Sequence, residues 1–371
     1  MISSNSMHIA IKLTETAGKI GGTPSAQAWF AGGERVGYDP QGGAIVRAQS
    51  ASFNVFLRRE GDLAHAVSFL PGFPDGSLGW AKVLPHLPNA AELPKLFVEY
   101  LGMGDSDKPK DYAYSTAERT DLVEAIWRDF GVQSTTLVAF DFSSLVVLEH
   151  LRRRLERSEQ GEPVGGPEIR GVYIFNGGLF PGGHSHPWYT TPILRRVPNR
   201  ARQGLARSFA VFKMMLGGVM WSKVYKVTDA EVREVYNAIN RHDGGFYLAG
   251  AAGFAADHKA QGDRLDFGHL FEAYRGQFPF LVGGSDEDPF EHRQVDLAQK
   301  GLGKLGLQIV RLPGGISPPT SSLKPWRHRS QSSSQDFLQK GAGYENLGLL
   351  NGCTVAWHGS LYCFAPRLCH R

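Results

Sequence analysis

The feature that most constrains this 371-residue chain is an acidic residue at a sharp strand-to-helix turn. The apolar run Leu137–Phe140 predicts a buried strand, and Ser144–Leu155 predicts the helix that follows. Asp141 lies between them in the small-x-acid-x-small pattern of a nucleophile elbow, with Ala139 and Ser143 at the crowded flanks. The pattern predicts Asp141 as a nucleophile, and its structural alternative is an acid that caps the helix.

A serine nucleophile at the same turn is excluded on steric grounds. With Ser143 in that role, the flanks would hold Asp141 and Leu145, which are too large for so tight a turn. Shifting the frame to Ser144 again brings two large side chains to the flanks. Only the aspartate suits the elbow.

Strands and helices alternate through most of the chain, which predicts an α/β fold with a mostly parallel central sheet. The other predicted strands are Trp29–Tyr38, Ser52–Arg59, Ala66–Leu70, Leu96–Tyr100, Gly171–Phe175, Phe278–Val282 and Leu307–Leu312. Capping boxes at Ser115–Glu118 and Thr228–Glu231 predict two helix starts. We predict a core of residues 25–180 and 276–315, a helical cap at 181–275 and an atypical tail at 316–371.

Composition separates the C-terminal tail, residues 316–371, from the rest of the chain. The tail has six Lys/Arg, two Asp/Glu, a serine cluster and all three cysteines. Removing it from the totals of 40 basic and 36 acidic residues leaves 34 of each, so the body is neutral. Neutrality argues against nucleic-acid binding, and the tail is predicted to be of low complexity and disordered.

Other sequence patterns indicate the expected location of the protein and whether it binds a cofactor or a metal. Met1–Gly22 has no continuous apolar core and Phe209–Trp221 is too short to span a bilayer, so we expect a soluble cytoplasmic protein. Gly102-Met103-Gly104 lacks the last glycine of a dinucleotide fingerprint. His184-x-His186 has no neighbouring acids or cysteines and is interpreted as a loop. We therefore predict no organic cofactor and no metal.

Several short motifs between Ser68 and Gly315 add a family resemblance. They are Leu70-Pro71-Gly72-Phe73-Pro74, Tyr100-Leu101-Gly102-Met103-Gly104-Asp105-Ser106-Asp107-Lys108-Pro109, Val138-Ala139-Phe140-Asp141-Phe142, Phe175-Asn176-Gly177-Gly178-Leu179-Phe180-Pro181 and Arg241-His242-Asp243-Gly244-Gly245. Together they resemble the aspartate-nucleophile branch of the α/β-hydrolase superfamily, which includes epoxide hydrolases, haloalkane dehalogenases and mesoderm-specific transcript proteins. The last two motifs are most similar to the mesoderm-specific transcript group.

The resemblance implies a two-step reaction. The aspartate attacks an sp³ carbon to form an alkyl-enzyme ester, and water activated by an acid-supported histidine then cleaves that ester. It places the backbone N–H groups of Phe73 and Phe142 in the oxyanion hole. Pro71 stands where the family usually has a histidine, which implies altered support of that loop. The supporting acid is expected to be Asp288, with Asp286 as second choice; either is otherwise a solvated loop acid.

The family histidine is missing from its expected position. After Pro313-Gly314-Gly315 the chain has Ile316. The other histidines nearby, His328, His358 and His370, have the sequence context of surface residues. Codons for Ile-Ser-Pro-Pro can encode His-Leu-Thr-Thr one nucleotide earlier, so the tail is hypothesised to arise from a frameshift or a misplaced splice boundary. The chain as written predicts an impaired hydrolase.

The substrate is expected to be a small apolar molecule. Phe142 has no N–H to hold a halide, so epoxide opening ranks above dehalogenation. Four cap tyrosines are candidates to donate to an epoxide oxygen, although such residues are more often packed: Tyr189, Tyr225, Tyr236 and Tyr247. The alternative function is a non-catalytic α/β-hydrolase fold that binds a ligand or partner.

Overall fold

The structure is a computed structural model that describes residues 25–46, 52–74, 76–86, 89–110, 112–185, 201, 207–219, 228–244, 260–262, 264–285, 287–312, 353–356 and 360–363. Its strands are β1 (Glu34–Asp39), β2 (Ala44–Val46), β3 (Phe53–Glu60), β4 (His65–Leu70), β5 (Lys95–Val98), β6 (Ser134–Phe140), β7 (Glu168–Phe175), β8 (Phe280–Ser285), β9 (Gln308–Leu312), β10 (Cys353–Ala356) and β11 (Ser360–Cys363). Nine strands form one sheet in the order β2-β1-β3-β5-β4-β6-β7-β8-β9.

The sheet is parallel from β5 to β9, as the alternation of elements predicted. Most positions of β4 to β8 are buried on both faces, and every residue of β5 and β8 is buried. Near-continuous apolar runs are expected where helices cover both faces of a parallel sheet. All the carboxyl ends of these strands meet at one edge, which is where ligands bind in open α/β sheets.

The antiparallel strands β1, β2 and β3 extend the sheet at one side. The predicted strand Trp29–Tyr38 is wrong in its first half, because Ala26–Ala31 is a helix. The Ser25 hydroxyl accepts the Ala28 N–H at 3.1 Å and so caps its N-terminus. Local capping and burial of Trp29 on the helix face outweigh the strand propensity of the aromatic residues.

The helices are α1 (Ala26–Ala31), α2 (Thr116–Asp129), α3 (Ser143–Glu159), α4 (Phe209–Val219), α5 (Asp229–Ile239), α6 (Phe267–Tyr274) and α7 (Gln294–Leu302). Short 3-10 turns lie at Ser77–Lys82, Leu84–His86, Pro181–Gly183, Arg241–Asp243 and Gly303–Leu305. Helix α2 begins where predicted, with the Ser115 hydroxyl accepting the Glu118 N–H at 3.2 Å. The predicted capping box of α5 is complete, since Thr228 and Glu231 bond reciprocally.

Helices α4 and α5 interrupt the alternation between β7 and β8, where a helical cap was predicted. Their buried residues Phe212, Val232 and Val235 share a hydrophobic cluster with core residues such as Trp80 and Phe140. A buried ion pair between Lys82 and Glu231 joins the 3-10 turn after β4 to α5. The described part of this insertion therefore packs directly on the carboxyl edge of the sheet.

In the C-terminal tail the structure describes one antiparallel pair, β10 with β11. This pair was not among the predicted strands. Ile316 and the histidines of the tail lie outside the described residues.

Candidate active site

Asp141 is the first residue after β6, and its backbone has a φ of +53°. A positive φ is strained for an L-residue other than glycine, and such strain is typical of a nucleophile elbow. The Asp141 N–H donates to the Phe175 carbonyl at 2.9 Å, and the Asp141 carbonyl accepts the Ser144 N–H at 3.0 Å. These bonds hold the turn between β6 and α3, so the elbow has the backbone geometry that the sequence predicted.

The Asp141 carboxylate contacts the two backbone groups expected to form an oxyanion hole. The Phe73 N–H donates to Oδ2 at 3.1 Å, and the Phe142 N–H also donates to the carboxylate. Burial raises the pKa of Asp141 to about 6, although both N–H groups oppose the rise. The side chain is therefore mainly ionised at neutral pH while still poorly solvated, which favours reaction with carbon.

The loop that carries the Phe73 N–H is packed tightly against the elbow. A Cβ on Gly72 would lie 1.9 Å from the Phe140 ring and 3.1 Å from Asp141 Cβ, so only glycine fits. The Ser143 hydroxyl donates to the Pro71 carbonyl and lies 2.9 Å from the Tyr100 hydroxyl. Support for this loop thus comes from the elbow helix itself.

Asp288, the first choice for the supporting acid, is 3% exposed and lies near the site. Its Oδ1 accepts the N–H groups of Phe290 at 2.8 Å and Glu291 at 3.0 Å. Burial raises its pKa, against these hydrogen bonds, and the charges of Glu291 and Asp141 raise it further. In the described structure Asp288 organises the turn after β8, and its predicted role as the supporting acid stays a prediction.

The site also contains a histidine–glutamate pair that the sequence reasoning did not identify. His184 follows the 3-10 turn after β7, and its Nδ1 is hydrogen-bonded to Glu291 Oε1. Burial alone would lower the pKa of His184, but Glu291 raises it above its ordinary value, with added contributions from Asp141 and Asp288. His184 was interpreted as part of a loop because no acid lies near it in the sequence. Glu291 is 107 positions away.

Of the remaining predicted site residues, the structure describes Tyr236. Asp286, Ile316, Tyr189, Tyr225 and Tyr247 lie outside the described residues. Tyr236 lies on α5, where its hydroxyl donates to the Arg207 carbonyl. Its ring contacts Phe209 and Phe212 with centroids 5.4 and 5.5 Å apart, which is the packed arrangement named as the alternative for these tyrosines.

A second buried acid, Glu99, follows β5 at the same edge of the sheet. It is fully buried and accepts the Ser77 N–H at 3.1 Å and the Ser77 hydroxyl at 2.5 Å. Burial raises its pKa to about 7, although Ser77 and the Lys108 ammonium group oppose the rise. Asp105 in the adjoining turn accepts from Arg241 Nε at 2.5 Å, which links this turn to the insertion.

Neither a metal site nor a membrane span is found in the part of the chain that the structure covers. There, no group of three or more His, Cys, Asp or Glu side chains could hold a metal ion. No helix within the same residues is long and apolar enough to cross a membrane.

Comparison with solved structures identifies the fold. An α/β-hydrolase fold protein from Burkholderia ambifaria superposes with a TM-score of 0.52 and 15% identity, over 71% of this chain and 88% of its own. The haloalkane dehalogenase DatA from Agrobacterium tumefaciens C58 gives a TM-score of 0.53 and 16% identity, over 76% of this chain and 89% of its own. The chain has the α/β-hydrolase fold, as the motifs predicted.

Sequence comparison finds curated proteins that are similar to part of this chain. The mesoderm-specific transcript homolog protein of Bos taurus is 28% identical over 193 residues, which are 49% of this chain and 53% of that protein. This chain thus spans about half the length of the curated relatives it matches. No protein-family profile matches the chain.

Proposed function

We propose that the protein is a hydrolase that uses Asp141 as its nucleophile and forms an alkyl ester on that side chain. The observation that supports this most directly is the hydrogen bond from the Phe73 N–H to Asp141 Oδ2. A serine nucleophile would leave the oxyanion hole for the carbonyl of the substrate. Here the hole receives an oxygen of the nucleophile itself.

That arrangement suits an ester built on the aspartate. One carboxylate oxygen attacks an sp³ carbon, which breaks the ring C–O bond of an epoxide or expels a halide ion, while the other oxygen stays with the two N–H donors. When water later attacks Cγ, the negative charge develops on the oxygen that these donors already hold. The electrostatic stabilisation thus falls on the hydrolytic step, and it needs no further movement of the loop.

The substrate class that we propose is a small apolar epoxide, with a haloalkane as the second choice. Ring strain assists attack by Asp141 on an epoxide: a ring C–O bond breaks, and the ring oxygen takes a proton from water to become a hydroxyl group. Phe142 offers only its backbone N–H, so its side chain cannot hold a leaving halide as a tryptophan N–H would. The likeness to a dehalogenase of 16% identity concerns the fold and leaves this order unchanged.

Completion of the cycle requires a base. With Ile316 in the expected position of the histidine, the ester would persist unless another group activates water. The proposed reaction therefore has two stages that can be measured separately, formation of the ester and its decay.

Mass spectrometry of Asp141 tests the first stage. We would mix the protein with a terminal epoxide such as styrene oxide, or with 1-bromobutane, in H₂¹⁸O and analyse the peptide that contains Asp141. A persisting adduct, or ¹⁸O in the Asp141 carboxylate after turnover, is expected, and Asp141→Asn should show neither. Absence of both from the wild-type peptide would contradict the proposal.

The alternative is a fold that binds a ligand without chemistry, and the replacement of the histidine by Ile316 is the observation that favours it. In that case neither probe would modify Asp141. Asp141→Asn would then leave the affinity for an apolar ligand nearly unchanged.

A further inference from the structure

The His184–Glu291 pair lies at the carboxyl edge of the sheet, beside the strand that ends at the nucleophile. His184 follows β7 and Glu291 follows β8, and both strands are neighbours in the parallel part of the sheet. The side chain of His184 is 16% exposed and that of Glu291 is 7% exposed. The imidazole is therefore held by a nearly buried carboxylate while a small part of its own side chain stays exposed.

Three further hydrogen bonds fix the pair in place. Asp288 Oδ1 accepts the Glu291 N–H at 3.0 Å, and Gln294 Nε2 donates to Glu291 Oε2 at 2.7 Å. The Ser185 N–H donates to the Phe290 carbonyl at 2.9 Å, which ties the two loops together beside His184. A carboxylate that is fixed in this way sets the tautomer and orientation of the imidazole, as the acid of a catalytic triad does.

His184 and Asp141 are also electrostatically coupled. The negative charge of Asp141 raises the pKa of His184, and the positive charge of His184 lowers that of Asp141. The other charges that act on His184 are those of Glu291, the largest, and Asp288. Ionised Asp141 therefore adds to the basicity that Glu291 gives the imidazole.

We propose that His184 is the general base that hydrolyses the Asp141 ester, with Glu291 as its positioning residue. This inference rests on the proposed function, because it concerns the fate of the ester on Asp141. It assigns the role of the missing histidine to a different loop, the one after β7.

Hydrolysis of the ester begins with proton transfer from water. Neutral His184 takes a proton from water as the water oxygen bonds to Asp141 Cγ. The resulting oxyanion, held by the Phe73 and Phe142 N–H groups, collapses and breaks the bond to the alcohol oxygen. The leaving alkoxide takes the proton from His184, and the new carboxyl group then gives its own proton to His184. The products are an alcohol, or a diol from an epoxide, with an ionised Asp141 and a protonated His184.

Ester formation prepares His184 for this role. Alkylation removes the negative charge of Asp141, which was one of the charges that raised the pKa of His184. The imidazole therefore becomes easier to deprotonate at the stage where a neutral base is needed.

Single-turnover kinetics on the full chain test the proposal. Styrene oxide or 1-bromobutane would be added below the protein concentration, and the Asp141 adduct would be followed by intact-protein mass spectrometry. We expect His184→Gln still to form the adduct and to slow its decay by roughly 10²- to 10⁴-fold, the usual contribution of a general base. Added imidazole should restore decay in His184→Ala.

Glu291→Gln gives a readout that loss of structure would not mimic. It removes the main group that raises the pKa of His184, so the pH at which decay becomes fast should move down.

His150→Gln is the matched control. His150 on α3 is also hydrogen-bonded through Nδ1 to a glutamate, Glu124 on α2, with 2.8 Å between Nδ1 and Oε1. Circular dichroism would verify that each variant is folded.

The outcomes separate the two proposals. An adduct that decays equally fast in wild type, His184→Gln and His150→Gln would overturn the role of His184 and leave Asp141 as the nucleophile. An adduct that persists in the wild type would also overturn it, since no base would then be acting. Failure of the wild type to form any adduct would overturn the proposed function and this inference together.

Discussion

Asp141 and Glu99 occupy equivalent places in the fold but differ in the groups that surround their carboxylates. Each is the first residue after a parallel strand, β6 for Asp141 and β5 for Glu99, at the same edge of the sheet. Burial raises the pKa of both carboxyl groups, to about 6 and about 7. A shifted pKa alone therefore does not separate a reactive acid from a structural one.

The contacts of the two acids do separate them. Glu99 is enclosed, because Ser77 bonds its carboxylate three times and the backbone of Gly76 and Gly104 closes over it. Asp141 receives backbone N–H donors, has a strained φ of +53° and is coupled to His184. Donors placed for a developing charge, together with a neighbouring acid–base group, are the contacts on which the proposal of Asp141 as the nucleophile rests.

The largest predicted difference is in reactivity. Asp141→Asn should reduce alkylation at position 141 by at least about 10⁴-fold, because an amide is a far weaker nucleophile than a carboxylate. Glu99→Gln should leave alkylation near the wild-type rate, yet it should cost about 1–3 kcal/mol of stability because an NH₂ group would face the Ser77 donors. Mass spectrometry of the adduct and urea unfolding measure the two effects. Equal losses of alkylation in both variants would show that the two acids form one functional unit.

Much of the Asp141 region was predictable from the sequence because its determinants are local. The strand, the small flanking residues and the following helix all lie between Leu137 and Leu155, and the structure has β6 and α3 there. A motif predicted Phe73 as an oxyanion-hole donor, and in the structure its N–H lies 3.1 Å from Asp141 Oδ2. At Trp29 the strand predicted from the local sequence was wrong, because Ser25 caps a helix there.

The His184–Glu291 pair could not be predicted in the same way. The two residues lie 107 positions apart and meet only because β7 and β8 are adjacent in the sheet. Periodicity and spacing carry no information about that adjacency. A usable signal was present in the strand ends, since each residue lies in the loop after a predicted parallel strand.

The pH dependence of alkylation also distinguishes Asp141 from Glu99. Attack requires ionised Asp141, whose pKa is raised to about 6. The rate should therefore be constant above about pH 7 and fall about tenfold per pH unit below 6. Stopped-flow mixing with 1-bromobutane between pH 5 and 8.5 measures this profile. Glu99→Gln is the control, because a midpoint that moves in this variant would assign the titration to Glu99.

The last comparison concerns the glycine that encloses Glu99. Gly104 has a φ of +45°, and a Cβ there would lie 2.3 Å from Glu99 Oε2. Gly104→Ala should therefore add the cost of a clash, about 1–3 kcal/mol, to the cost of an L-residue at positive φ. Gly161→Ala is the matched control, since Gly161 has a φ of +69° and nothing within 4 Å of the added Cβ. It should show the backbone cost alone, about 1–2 kcal/mol. Urea unfolding of both variants would isolate the contribution of the enclosure around Glu99. Equal destabilisation of the two variants would mean that Glu99 can move away from position 104. Glu99 would then be less tightly enclosed than its contacts indicate, and the contrast with Asp141 would be weaker.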